Sequence, residues 1–283
     1  MHCQKIDPSS KKELVEFLKA HEEYTLFLLS NLEMYGPALS TALYSGNYKI
    51  IRNQEKIVAA FCLARNGALL IHSTFPSTLL FPLVLAACQE EPLAITGLLG
   101  EWEFSHAFWK LLKDKKIIRK EAFTSKEILY TLLPAEIFSP SPSSVRLLTP
   151  EDFEEWKHLR LNYIEEMGFP SYGLKEIHEE FIEKTHKRIT WGLFSQGELA
   201  SIADLNACTA DLGQVGGVYT KPAFRKQGLC TQLMRQLIHD CHHLHHLRKL
   251  IIFTGEENLP ARSVYESLDA RAHGYYALYF GSG

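Results

Sequence analysis

Apolar and polar positions follow one another in a mixed order of helices and strands from the first residues onward. Spacings of three and four predict helices, and short apolar runs between turn residues predict strands. In the first half, these patterns predict helices at 11–20, 26–32, 79–89 and 104–112. They predict strands at 48–51, 57–63, 68–71, 93–99 and 128–133. Helices and strands mixed in this way indicate an α+β protein.

The second half repeats this order. A helix start is predicted at Thr149 as the N-cap residue, with Pro150 at the first helical position and Asp152 three residues after the cap. A hairpin follows, with strands at 190–194 and 198–203 and a Gln-Gly turn between them. Further strands are predicted at 250–254 and 274–280. Because both halves show the same sequence of elements, we hypothesise an internal duplication, with an unrelated α+β cap as the alternative for the first half.

The segment 215–230 carries the strongest chemical signal. It reads as a strand interrupted by Gly216 and Gly217, a basic turn around Gly228, and then an amphipathic helix. Glycines inside a strand usually mark a bulge or a close approach of another group. A glycine turn that opens a helix directs several N–H groups and the positive end of the helix dipole at one point. The pattern therefore predicts a pyrophosphate site.

A second block lies near the end of the chain. After the buried strand at 250–254, Asn258 can cap a short helix in whose first turn Pro260 stands. Tyr265 and Leu268 lie three positions apart on one face of that helix.

Together these blocks resemble the GNAT superfamily of N-acetyltransferases. Arg225-x-x-Gly228-x-Cys230 is similar to the family motif [QR]-x-x-G-x-[GA], with cysteine where glycine or alanine is usual. Asn258-x-x-Ala261-x-x-x-Tyr265 is similar to the family's last unit, N-x-x-[AS]-x-x-x-Y. The chain departs from the family after this tyrosine, because Asp-Ala stands where Gly-Phe is common.

The resemblance implies a GNAT fold, in which helices flank a mixed, mostly antiparallel central sheet. We expect a tandem of two GNAT-like domains, as in relatives of glycine N-acyltransferase whose C-terminal copy alone is active. The expected limits are 1–134 for a degenerate or cap domain, 135–144 for a linker rich in Pro and Ser, and 145–283 for the acetyltransferase domain. The first copy has neither glycine nor a basic residue at 73–80, so coenzyme A is not expected there.

The resemblance also implies acetyl-coenzyme A as co-substrate and a direct attack by an unprotonated amine on its thioester. Tyr265 would be the catalytic residue, protonating the departing thiolate. The residues expected to bind the cofactor are Val218, Tyr219, Arg225, Lys226, Gln227, Gly228, Leu229, Cys230, Asn258 and Ser263. Cys230 is expected to pack as a small residue and not to act as a nucleophile. The general base stays open among Asp204, Asp211, Glu256, Glu257 and a water chain.

Composition excludes other classes. The net charge of −3 and the lack of a long basic run do not suggest nucleic-acid binding. No signal peptide or run long enough for a bilayer is present, and six cysteines without paired spacing suit reduced thiols, so a cytoplasmic protein is expected. Five histidines between 239 and 246 lack the other ligands of a metal site, so no metal is predicted.

Two functions are compatible with these residues. The first is an N-acetyltransferase acting on the amine of a small molecule or amino acid, and a cationic acceptor would suit the acidic stretch at 176–183. That stretch is more often a solvated helix face. The second is a non-catalytic acyl-coenzyme A sensor or assembly module that keeps the pocket without turnover. The acceptor, the acyl length and the oligomeric state are not encoded in any pattern we can read.

Overall fold

The structure is a computed structural model that describes residues 1–7, 9–75, 77–134, 144–170 and 173–283. The chain divides into two compact units. The first comprises Met1–Ile128 and Gly274–Gly283, and the second comprises Leu129–His273. Most of the predicted linker at 135–144 lies outside the described residues, and the predicted domain limits stay a prediction.

Four helices lie in the described part of the first unit. They are α1 (Lys11–Lys19), α2 (Glu22–Tyr35), α3 (Ser77–Gln89) and α4 (Trp102–Asp114). Its strands are β1 (His2–Lys5), β2 (Gly46–Asn53), β3 (Lys56–Ala64), β4 (Ala68–Ser73), β5 (Gly97–Glu101) and parts of β6 (Lys120–Leu132) and β12 (Arg271–Ser282).

The sheet of the first unit runs in the order β1-β2-β3-β4-β5-β12. Neighbouring strands are antiparallel except β4 and β5, which are parallel. One part of the core lies on the face of this sheet where Phe61 and Leu69 of the strands pack against Phe108 and Leu112 of α4. The strand predicted at 93–99 begins later, at Gly97. Leu93 and Ile95 produce its apolar signal because they pack against this core from the preceding turn.

The second unit contains the other helices of the chain's described part. They are α5 (Phe153–Met167), α6 (Leu174–His186), α7 (Leu229–His243) and α8 (Leu259–Glu266). Its complete strands are β7 (Val145–Leu147), β8 (Thr190–Ser195), β9 (Glu198–Cys208), β10 (Leu212–Thr220) and β11 (Lys249–Gly255). The capping box predicted at Thr149 and Asp152 is present, although it opens a single 3-10 turn before α5 begins.

The sheet of the second unit runs in the order β7-β8-β9-β10-β11-β6. β7 through β10 form antiparallel pairs, and β10 is parallel to β11. Trp156, Phe181 and Ile202 form its core beneath α5 and α6. The parallel pair β10 and β11 matters most, because the segment that joins β10 to α7 lies at its carboxyl end.

Both halves of the chain show the order β-α-α-β-β-β-α-β-α-β. This repetition supports the hypothesis of an internal duplication. The first unit takes the last strand of its sheet from the end of the sequence, since β12 pairs with β5. Only residues 129–132 of β6 belong to the second unit. Among the described residues, no helix combines the length and the apolar character that a bilayer crossing requires.

Candidate functional site

A bulge in β10 is the first element of the candidate site. The register with β9 passes from Gly216↔Asp204 directly to Tyr219↔Ile202, so Gly217 and Val218 stand opposite one residue. Gly217 has a φ of +61°, and a Cβ there would lie 2.8 Å from Oδ2 of Asp204. Only glycine satisfies both conditions without strain. The bulge predicted from the paired glycines is therefore present.

The second element is an opening between β10 and β11. Their parallel register ends at Val215↔Ile252, while β10 continues to Thr220 and β11 to Gly255. Beyond these last pairs the two strands form no further ladder. Their facing backbone N–H and C=O groups are therefore available to a ligand that carries amides of its own.

The third element is the start of α7. Gly228 precedes its first residue with a φ of +75°, and no side chain caps the helix. The helical ladder begins with a hydrogen bond from the Gln232 N–H to the Gly228 C=O at 3.1 Å. The N–H groups of residues 229–231 therefore precede the helical ladder and carry the positive end of the dipole. A Cβ on Gly228 would meet no atom within 4 Å, so the backbone angle is what requires glycine.

Arg225 is engaged within the protein. Its Nη2 donates to Oε2 of Glu166 at 2.7 Å, and its Nε donates to the Thr220 carbonyl at 2.9 Å. Both side chains of the ion pair are well exposed, and a pair of this kind contributes about 0–1 kcal/mol. A phosphate placed beside Arg225 would therefore displace Glu166 at small cost.

The neighbouring turn residues have different surroundings. Residues 225–228 are exposed, whereas Leu229 and Cys230 are half-buried. Gln227 donates to the Ala223 carbonyl at 3.3 Å, and Lys226 has a positive φ of 61°. Burial raises the pKa of the Cys230 thiol to about 11. A thiol with such a pKa is protonated at neutral pH, which agrees with the expected packing role.

Tyr219 connects the bulge to this turn. Its carbonyl accepts a hydrogen bond from Ser201 at 2.8 Å, and its ring lies edge-on to Tyr163. Burial and the carboxylate of Glu166 raise the pKa of the Tyr219 phenol. Contacts with Ser201 and Tyr163 therefore fix the position of Tyr219, which is buried. Val218 beside it is only half-buried.

The residues predicted at α8 occupy two kinds of position. Asn258 caps the helix, since its Oδ1 accepts from the Ala261 N–H at 3.2 Å. Ser263 is exposed. Tyr265 is only 4% exposed, and its ring packs edge-on against Tyr130 at a centroid distance of 6.2 Å. Burial of this kind also suits a core aromatic, so the catalytic role of Tyr265 is a proposal.

A chain of buried charges lies against the bulge. Lys184 Nζ is 2.8 Å from Oδ2 of Asp204 and 2.7 Å from Oε1 of Glu180. Arg160 Nη2 donates to the same Glu180 carboxylate at 2.9 and 3.2 Å. Asp204 is fully buried and also accepts from Thr190 Oγ1 at 2.5 Å. We call Arg160, Glu180, Lys184 and Asp204 the charge network.

Charges within the charge network, which lies against Gly217, influence the pKa values of two of its members. Burial pushes the pKa of Glu180 upward, but the ammonium of Lys184 and the guanidinium of Arg160 outweigh it and lower that pKa. Burial also opposes the charge on Arg160, yet Glu180 and Asp204 raise its pKa. Arg160 and Glu180 are therefore each favoured in their charged form by the charges around them. Asp204 is the only one of the base candidates that touches the bulge in the described part of the chain.

The sequence contained a signal for the charge network that the prediction did not use. Ile177, Phe181 and Lys184 recur on one face of α6 and are all buried. Glu180 lies one turn from Lys184 on the same side. The acidic stretch at 176–183 is therefore divided, since Glu180 turns inward while Glu176, Glu179 and Glu183 are exposed.

The other base candidates lie elsewhere. Asp211 directly precedes β10, so it lies at the start of that strand, whereas the bulge lies near its end. Its carboxylate forms an ion pair with Arg248 at 2.6 Å. Glu256 and Glu257 lie in the turn between β11 and α8. The rings of His239 and His243 are tilted by 43° to each other, with their centroids 4.3 Å apart. The described residues contain no group of three or more His, Cys, Asp or Glu arranged to hold a metal ion.

Comparisons with known proteins bear on the family and the fold. Residues 146–270 match the family described as the acetyltransferase (GNAT) family. No curated protein sequence matches the chain. A solved Drosophila protein is 13% identical over 98% of both chains, with a TM-score of 0.70.

Two further solved structures align over nearly the whole chain. A GCN5-related N-acetyltransferase from Sphaerobacter thermophilus is 11% identical over 98% of this chain and 94% of that chain, with a TM-score of 0.59. A tandem GNAT protein from the clavulanic acid biosynthesis pathway is 12% identical over 98% of this chain and 97% of that chain, with a TM-score of 0.53. At these identities the likeness concerns the fold, and the predicted α+β GNAT fold is confirmed.

Proposed function

We propose that this chain is an acetyl-coenzyme A-dependent N-acetyltransferase whose second unit binds the co-substrate and transfers the acetyl group to an amine of a small molecule or amino acid. The observation that carries the proposal is the opening between β10 and β11, which lies beside the bulge and leads into the uncapped start of α7. These three features offer amides for a pantetheine arm and dipolar N–H groups for a pyrophosphate.

The roles follow from the positions. Residues 229–231 would hold the pyrophosphate through their N–H groups, with Arg225, Lys226 and Gln227 at the exposed rim. Val218 and Tyr219 would hold the pantetheine arm and polarise the acetyl carbonyl through their backbone. Asn258 shapes the start of α8, and the exposed Ser263 on that helix would contact the co-substrate.

The chemistry is an attack by the amine nitrogen on the thioester carbon. A new C–N bond forms and the C–S bond breaks, so the thiolate needs a proton and the ammonium must lose one. Tyr265 would donate the first proton through its hydroxyl. The charge network borders the bulge where the amine would stand, and Asp204 would receive the second proton.

The test is release of free thiol from acetyl-coenzyme A in the presence of a panel of primary amines. Tyr265→Phe should lower kcat about a hundredfold and leave the Kd for acetyl-coenzyme A within about threefold. Tyr130→Phe is the matched control, because the Tyr130 hydroxyl donates to Glu266 at 2.6 Å in the same aromatic pair. Equal turnover in wild type and Tyr265→Phe would remove Tyr265 from the mechanism.

Binding is tested separately by calorimetry. Gly228→Glu places a carboxylate at the mouth of α7 and should abolish acetyl-coenzyme A binding. Gly197→Glu is its control, since Gly197 also has a positive φ and open space around a Cβ. Normal binding by Gly228→Glu would show that the site is misplaced. Binding by the wild type with no thiol released from any amine would favour the non-catalytic sensor.

A further inference from the structure

A second group of chemically active side chains lies in the first unit. The parallel register of β4 and β5 ends at Ile71↔Gly100, and His72 and Glu101 are the next residues on the two strands. Side chains at matching positions of neighbouring strands point to the same face. His72 and Glu101 therefore emerge side by side at the carboxyl ends of parallel strands, where open sheets commonly bind ligands.

His72 has a buried ring whose polar atoms are unsatisfied. Its side chain is 4% exposed, and no described residue forms a hydrogen bond with either ring nitrogen. Burial lowers the pKa of this ring to about 3, so the imidazole is neutral at ordinary pH. A neutral imidazole offers one donor and one acceptor, and buried groups of this type normally have partners.

Glu101 is the charged member of the pair. Its carboxylate is about one third exposed, and Oε2 lies 3.7 Å from Nδ1 of His72, just outside hydrogen-bond distance. No lysine or arginine of the described part of the chain forms an ion pair with it. Burial and the neighbouring Glu103 raise the pKa of Glu101. The start of α4 supplies only a partial positive charge beside it.

Aromatic rings surround the pair. The ring of His72 lies 4.6 Å from that of His21, 5.8 Å from that of Tyr24 and 5.9 Å from that of Phe17, measured between centroids. Phe17, His21 and Tyr24 are half-buried, so one side of this group faces solvent. The faces of such rings attract cations. We call these five residues the His72 cluster.

We propose that the His72 cluster is a binding site for a small organic primary ammonium ion. Nδ1 of His72 and Oε2 of Glu101 are only 3.7 Å apart, so one ammonium nitrogen can lie about 2.9 Å from both. Because Nδ1 is closed to solvent, a half-buried side chain of the cluster must move aside to admit the ligand. The ammonium then supplies donors to both acceptors and neutralises the carboxylate. The rings of Phe17, His21 and Tyr24 cover its carbon chain.

The chemistry discriminates against other occupants. A bridging water would bond to His72 and Glu101 but would leave the carboxylate without a cation. A quaternary ammonium would contact the rings and has no N–H to donate. The site uses residues of the first unit alone, so it is independent of the acyl-transfer site proposed above. Loss of binding here and loss of thiol release there are separate results.

The experiment follows the histidine ring resonances of the full chain by NMR during titration with n-butylammonium chloride at constant ionic strength. Resonances that disappear in His72→Phe assign His72. We expect these resonances to shift saturably with n-butylammonium. We expect binding of tetramethylammonium to be at least about tenfold weaker, since a hydrogen bond to a charged group is lost. The neutral n-butanol should not bind.

Glu101→Gln should weaken n-butylammonium binding at least about tenfold, while Glu103→Gln, which removes a charge that acts on Glu101 only through space, should change it less than about threefold. Glu103 is exposed, lies two residues away and gives the same change in net charge. Equal binding by Glu101→Gln and Glu103→Gln would overturn the proposal. Equal binding of n-butanol and n-butylammonium would also overturn it. So would His72 chemical shifts that do not change up to about 50 mM n-butylammonium, a result that indicates that the site holds only water.

Discussion

Lys184→Met removes one cation from the charge network and keeps a side chain of similar length. The ammonium that is lost lies 2.8 Å from Asp204 and 2.7 Å from Glu180. Asp204 is fully buried, so its carboxylate would keep only the hydrogen bond from Thr190. Removal of one partner from a buried ion pair costs about 3–5 kcal/mol of folding free energy. We expect a loss in that range.

A matched variant separates the effect of losing a buried ion pair from the effect of losing a positive charge. Lys175→Met changes the same residue type on the same helix, but Lys175 is 84% exposed and lies 3.7 Å from Glu179. It should lose less than about 1 kcal/mol. The double variant Lys184→Met/Asp204→Asn should recover much of the loss, because it no longer leaves a charge buried without its partner.

The assay is urea unfolding followed by circular dichroism, with differences taken from midpoints at constant slope. A loss in Lys184→Met that is no larger than in Lys175→Met would refute the argument. That result would mean that water reaches Asp204 and screens it.

The remaining predictions concern pH, the bulge and the rim of the site. Because the pKa of Glu180 is held below its ordinary value of 4.5, its stabilisation is present above that pH and is lost as pH falls through the lowered value. Acid unfolding should therefore show a smaller pH dependence in Lys184→Met than in wild type. Gly217→Ala should lose about 1–3 kcal/mol more than Gly197→Ala in the same urea assay, since only the first Cβ meets a neighbouring atom. A difference near zero would mean that the bulge relaxes freely. Glu166→Gln should tighten acetyl-coenzyme A binding up to about fivefold in calorimetry by releasing Arg225, and weaker binding would place Glu166 in contact with the ligand.

Local signals in the sequence were sufficient for several parts of the fold. The stripe after Gly228 predicted α7, and the spacing of Thr149 and Asp152 predicted the capping box. Asn258 was predicted as a helix cap and is one. Each of these depends on residues within about one turn of each other, so periodicity and side-chain chemistry determine them directly.

Features that depend on distant partners were not predicted. The apolar pattern at 274–280 indicated a strand, but it does not say that Tyr276–Phe280 pairs with β5. Charged residues read as a solvated face unless their neighbours are known, and so Glu180 and Lys184 were not recognised as buried partners of Arg160 and Asp204. His72 directly follows the strand predicted at 68–71, and no sequence pattern assigned it a role. Only the structure shows that it lies beside Glu101 and that its ring nitrogens have no hydrogen-bond partner among the described residues.

A crystal structure with bound acetyl-coenzyme A tests the central claim most directly. The account predicts the pyrophosphate within hydrogen-bond distance of the N–H groups of residues 229–231 and the pantetheine arm along β10 between Gly216 and Thr220. Density for the ligand at any other place, with the opening between β10 and β11 left unfilled, would contradict it.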